Sequence, residues 1–225
     1  MKMASIFLLI ATLGTATVVQ AADITGIITF KGTPPAEKEI TPLMDDANCS
    51  ALHTKMPTTR FYVVGAKGEL ADVVVSLKGI TGKSTGRERV ASGARSERLP
   101  LYAHDFGDSN RTKAGRQNSD PCVHNVHAVP SASSGNPGFN DGQQPGSADL
   151  TYTFPKPEMF LKYQCDVHPW MFAWVSIFDH PYFSVSDADG KFTIKNVPPG
   201  KYTVEAAHRK LGTQNGGGSK SRTAM

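Results

Sequence analysis

After its first 21 residues the chain has no long apolar run. Nowhere does it show a sustained helical period or a block of like charge. The first absence leaves no later stretch near the ~20 apolar residues that a helical membrane span needs. The second leaves strands and turns as the regular structure available. The third removes the electrostatic footprint of a nucleic-acid binder, because a net charge of only +4 is spread along 225 residues. Cysteine is scarce. With three in the chain, an oxidising compartment would leave at least one thiol free or bound to metal. A 39% hydrophobic content beside 21 Gly and 15 Pro predicts short strands and many turns.

The N-terminus reads as an export signal. Lys2 supplies a basic start, Ile6 to Val19 an apolar stretch interrupted by Thr and Gly, and Val19-Gln20-Ala21 small residues for a peptidase. Residues 1–21 are expected to be removed, leaving a soluble periplasmic or secreted protein that starts near Ala22 and has no membrane span.

β-Branched runs bounded by turn residues mark strands at 24–30, 60–64 and 72–77, and again at 182–186, 191–194 and 201–206. The chain is expected to be all-β. The series S-D-A-D-G-K-F-T-I-K-N-V-P-P-G-K-Y-T-V-E-A, with I-T-G-I-I-T-F-K-G-T-P-P and A-D-V-V-V-S-L, resembles transthyretin-like or carboxypeptidase-regulatory-like β-sandwiches. That resemblance implies one sandwich from 22–82 and 182–214, a second domain at 83–181, and a flexible tail at 215–225.

The chemistry lies in the second of these. Phe160 to Cys165 alternates like a strand, and Cys165, His168 and Met171 follow one another at spacings of three. A thiolate, an imidazole and a thioether on one short loop form a soft donor set, and trigonal Cys/His₂ with a weak axial Met favours a blue-copper electron-transfer site. A second imidazole is offered upstream by Cys122-Val-His124-Asn125-Val-His127. Zinc held by His124, His127, Cys165 and His168 has suitable atoms but leaves Met171 unexplained. Its two upstream histidines would also point to opposite faces of a strand. The His-X-His pairs of multicopper oxidases are absent, as is the second loop cysteine of a binuclear copper centre.

N-S-D-P-C-V-H-N-V-H-A together with Y-Q-C-D-V-H-P-W-M is similar to the plastocyanin and amicyanin group of cupredoxins, over residues 118–180. The resemblance implies a Greek-key cupredoxin β-sandwich with one type-1 copper on His124, Cys165, His168 and Met171, and with His127 outside the site. Asn125 would tie the two ligand loops together by side-chain hydrogen bonds. The edge of His168 would reach the surface through an apolar exit patch containing Pro169 and Trp170. Electrons would pass there to a transient redox partner such as a c-type cytochrome or a dehydrogenase. Such a protein is an electron carrier, not an enzyme. A copper carrier or store with the same ligands, and a binding sandwich with a vestigial metal site, are the competing readings.

One segment breaks the family pattern. Gly107 to Gln117 has one aliphatic side chain, Ala114, where strands should lead into Asn118, and its composition is that of a solvated loop. If Arg98 to Ala103 is encoded AGG CTG CCT CTA TAC GCC, a shift of one nucleotide reads G-C-L-Y-T-P. The same shift permits I-L-A-I-Q-T-G-Q-K-L over 105–114 and L-D-Q-K-G over 94–98. Residues from about 87 to 117 are therefore expected to be a frameshifted reading, with a hidden cysteine as a natural disulfide partner for Cys49, whose one other obvious partner is Cys122. The polar tail at 215–225 is a second such segment or a flexible end. The codons of the gene decide: codons that forbid this string end the idea.

Overall fold

A computed structural model describes residues 21–80, 101–104, 112–116, 118, 120–148 and 150–215. The expected signal segment (save Ala21), most of 87–117 and the tail beyond Asn215 lie outside them. The described residues are all-β, with short helices only at Thr41–Asp45 (3-10) and Ala47–Ser50 (α1). None of their helices is long and apolar enough to cross a membrane.

Thirteen strands are described: β1 (Ala22–Ile27), β2 (Val74–Lys78), β3 (Leu101–His104), β4 (Thr112–Arg116), β5 (His124–Val129), β6 (Phe139–Gln143), β7 (Leu150–Phe154), β8 (Glu158–Gln164), β9 (Phe172–Ile177), β10 (Phe183–Val185), β11 (Lys191–Val197), β12 (Thr203–His208) and β13 (Gly212–Asn215). All named pairings are antiparallel, in sheets ordered β1-β11, β10-β2-β12-β13, β3-β4-β7 and β6-β5-β8-β9.

Two apolar cores result. Val126 and Ala128 of β5, Leu161 and Tyr163 of β8, and Val175 and Ile177 of β9 meet Phe154 of β7, so two sheets face each other across this cluster. Val75 and Leu77 of β2 and Ile194 and Val197 of β11 form the other, with Ile24, Phe192, Val204 and Ala206 packed against it. The chain leaves this second core after Ile80 and returns to it at Tyr182. Ser186 fastens the return: its Oγ accepts the Val73 N–H at 3.0 Å and donates to the Leu70 carbonyl at 2.8 Å. The Asp187–Gly190 turn then sends the chain into β11. Asp187 Oδ1 accepts the N–H groups of Asp189 and Lys191, each at 2.9 Å. Gly190 sits at φ +69°, and a Cβ there would meet the Ile28 carbonyl at 2.4 Å, so only glycine fits.

Two expectations are corrected. Residues 60–64 form no strand, only a bridge from Val64 to Leu70. Arg60 is at φ +48°, and the Glu37 carboxylate accepts the N–H groups of Phe61 and Tyr62 at 2.8 and 2.6 Å, taking the donors a ladder would use. Residues 112–116, read as part of a polar loop, are β4, paired in continuous register with β3 and β7. A ladder is bonded through the backbone, so polar composition does not forbid it. β13 pairs with β12 and is the last of the described strands, ending at Asn215.

His208, 3% exposed, makes this fold pH-sensitive. Its ring stacks on Tyr62 at 5.7 Å, and burial, aided by the Arg209 guanidinium, lowers its pKa from 6.5 to about 4. Below pH 6.5 the unfolded chain takes up a proton that the folded chain refuses. This stabilisation is therefore complete above pH 6.5 and is lost as pH falls toward 4, by about 3 kcal/mol. Denaturant unfolding from pH 7 to 4 is expected to show that decline, and His208→Gln should flatten it. An equal slope in the variant would contradict the assignment.

Candidate metal centre

β5 alternates inward and outward. His124, Val126 and Ala128 are buried while Asn125 and His127 face away, so one strand supplies a buried imidazole and an outer polar pair. The other donors come from the connection between β8 and β9. It is a tight loop, with Cys165 N–H donating to the Met171 carbonyl at 2.9 Å and Met171 N–H to the His168 carbonyl at 2.8 Å. His124, Cys165, His168 and Met171 come close together, each 4% exposed or less.

The three stronger donors form a near-regular triangle. His124 Nδ1 and His168 Nδ1 are 3.0 Å apart, and Cys165 Sγ is 3.8 and 3.6 Å from them. A point in their plane lies about 2.0 Å from all three, close to the ~2.0–2.1 Å of a metal–imidazole bond and somewhat inside the ~2.3 Å of a metal–thiolate bond. The opposite ring nitrogens face carboxylates: His124 Nε2 lies 3.0 Å from Asp120 Oδ2, and His168 Nε2 lies 3.3 Å from Asp46 Oδ2. An imidazole that donates its Nε2–H to a carboxylate has its Nδ1 lone pair free to bind metal. Two such lone pairs aimed at one another across 3.0 Å, with a sulfur beside them, are electrostatically stable around a cation. The donor set therefore fits a metal ion, and its softness fits copper.

The shell behind these donors is built from both ligand loops. Asn118 Oδ1 accepts the Asp120 N–H at 3.0 Å, and its Nδ2 donates to the carbonyls of Cys122 and Gln143 at 2.9 and 3.0 Å, fixing the turn that carries Asp120. Asn125 Oδ1 accepts the Asp166 N–H at 2.6 Å and lies 3.3 Å from Cys165 Sγ, so this side chain spans the two ligand segments. Asp166 draws in His127, Gln164, Asn140 and Asn125, and these hydrogen bonds, led by His127, hold its carboxyl well below the ordinary range. His127 is thus engaged on the outer face, and no metal-holding group among the described residues includes it.

The expected exposed edge of His168 is not found. The residue is 3% exposed, and Asp46 lies on its Nε2 side. Asp46 is held there as the cap of α1, accepting the Asn48 and Cys49 N–H groups at 2.9 Å each; these bonds and His168 keep its carboxyl below the usual range. Pro169 is exposed, and Trp170 is half-buried with its ring 5.4 Å from that of His168. α1 also brings Cys49 to Cys122. Their ligating atoms and one of His168 lie within 4.8 Å of one another, and a further group joins Asp120, Cys122 and His124. Burial, then the neighbouring Cys122 and Asp46, push the Cys49 thiol up to about 12.

Sequence reasoning missed Asp46, Asp120 and Asp166. Asp120 had a signal, because a carboxylate shortly before a ligand histidine is its natural orienting partner. Asp120→Ala is expected to weaken metal binding by about 10–100-fold in a competition titration; an unchanged affinity would remove its orienting role. The chain matches no family model, no curated protein and no solved structure.

Proposed function

We propose that this protein is an exported type-1 copper carrier of single electrons, of the plastocyanin and amicyanin kind, with its cupredoxin-like part at 83–181 set within a transthyretin-like sandwich. The observation that carries this reading is the buried triangle of His124 Nδ1, His168 Nδ1 and Cys165 Sγ, at 3.0, 3.6 and 3.8 Å. Met171, on the same loop, would be the weak axial donor. Copper bound there would alternate between its +2 and +1 states. The chain's part is to hold the donors still through that change. Asp120 and Asp46 fix the two rings, Asn125 and Asp166 fix the ligand loop, and the buried surroundings keep water away from the sulfur.

A spectroelectrochemical titration of the copper-loaded chain tests this. A reversible one-electron wave is expected, and copper that cannot be cycled without loss from the protein would overturn the electron-transfer reading.

A copper-delivery role is the second reading, and one observation favours it. With Asp46 on its far side, His168 lacks the open edge through which electrons leave to a c-type cytochrome or a dehydrogenase. Electron exit would then pass by Trp170, whose ring is 5.4 Å from that of His168, and out at Pro169.

A further inference from the structure

We infer that Cys49 and Cys122 form a second metal site, for a soft monovalent ion such as Cu(I), beside the first and against the far side of its histidine ligands. Cys49 comes from α1 and Cys122 from the turn before β5, yet their sulfurs and one ring nitrogen of His168 all lie within 4.8 Å of one another. Two metal–thiolate bonds of ~2.3 Å span at most about 4.6 Å, so sulfurs at the 4.8 Å limit need close by only a few tenths of an ångström for one ion to hold both. Paired thiolates favour a soft ion such as Cu(I) over hard, oxygen-seeking ions such as Mg²⁺ and Ca²⁺.

The surroundings support a built site. Asp46 holds the Cys49 N–H at 2.9 Å, and Asn118 Nδ2 holds the Cys122 carbonyl at 2.9 Å, so both sulfur-bearing segments are anchored by side chains. Cys122 Sγ lies 3.5 Å from His124 Nε2. Cys49 is 5% exposed and Cys122 is half-buried, which leaves entry on the Cys122 side. The Asp120–Cys122–His124 group is the weaker alternative, because it offers one thiol and Asp120 already faces His124 Nε2. Binding displaces two thiol protons to solvent and forms two Cu–S bonds; no electron moves.

The inference stands beside the proposed function but does not need it, although both sites draw on His168. The test is an anaerobic Cu(I) titration of the full, reduced chain against a chromophoric Cu(I) chelator. Wild type is expected to retain two equivalents, the Cys49→Ser/Cys122→Ser double variant one, and Cys165→Ser one. The same number of equivalents in the double variant as in wild type, whatever that number, overturns the second site. Two equivalents in Cys165→Ser overturns the first site and leaves the second standing.

X-ray absorption on wild-type protein removes any dependence on how the variants fold. The second equivalent should bring copper with two sulfur neighbours, and a purely nitrogen and oxygen shell overturns the site. So does a Cys49–Cys122 disulfide in the protein as isolated with its thiols blocked in acid.

Discussion

Replacing Cys165 by serine is expected to abolish the visible absorption of the copper-loaded protein near 600 nm (roughly, the copper–thiolate transition). Cys165 is 3% exposed, and its sulfur is the one soft anionic donor in the triangle with His124 Nδ1 and His168 Nδ1. The hydroxyl of serine is close in size, and the loop's backbone bond from residue 165 to the Met171 carbonyl does not involve the side chain. The variant should therefore fold, and Cu(II) supplied in excess should still sit on the two imidazoles, held too weakly to survive competition with a chelator. Without the thiolate there is no ligand-to-metal transition of comparable intensity, so the loss of colour should be complete and not graded. Cys122→Ser is the matched control. Its sulfur lies 3.5 Å from His124 Nε2, on the side of that ring away from the triangle, and the band should survive there. Colour that persists in Cys165→Ser, or vanishes in Cys122→Ser, would mean that the wrong sulfur has been assigned.

Phe154→Ala is expected to cost about 3–5 kcal/mol of stability. Phe154 is 1% exposed at the end of β7, within a cluster containing Leu161, Tyr163 and Val175. Its ring makes an edge contact with Tyr163 at 6.2 Å and a tilted one with Phe139 at 6.0 Å. These partners come from β8 and β6 of the facing sheet, so the truncated ring leaves a cavity between two sheets. Neither sheet can close it without giving up its ladder bonds. At about 2–4 °C per kcal/mol for a chain of this size, the thermal midpoint should fall by about 6–20 °C. The measurement belongs on the metal-free chain, because a bound ion would mask part of the loss by mass action. A change under about 1 kcal/mol would show that β7 is not packed on this core.

What the residues reveal in advance divides by how local the cause is. The Asp187–Gly190 turn was legible because a side-chain cap and a glycine forced to positive φ are written in adjacent positions. So were the strand that ends at Cys165 and the loop spacing that brings Cys165, His168 and Met171 together. Residues 60–64 misled because their β-branched character is real, yet Glu37, distant in sequence, takes the Phe61 and Tyr62 N–H groups. β4 was missed for the opposite reason: its polar composition conceals a backbone ladder with β3 and β7. The cover on His168 was not legible at all. Asp46 looks like an ordinary helix cap, and only the tertiary fold carries it to His168.

The central claim is that His124, Cys165 and His168 hold one copper ion in a trigonal, thiolate-dominated site. The visible spectrum of the purified full chain with one equivalent of Cu(II) tests it most directly. Intense blue absorption near 600 nm (roughly, from the copper–thiolate bond), bleached by ascorbate and restored by oxidant, is the predicted result. Full occupancy by Cu(II) with only the faint colour of a nitrogen- and oxygen-ligated ion would contradict it.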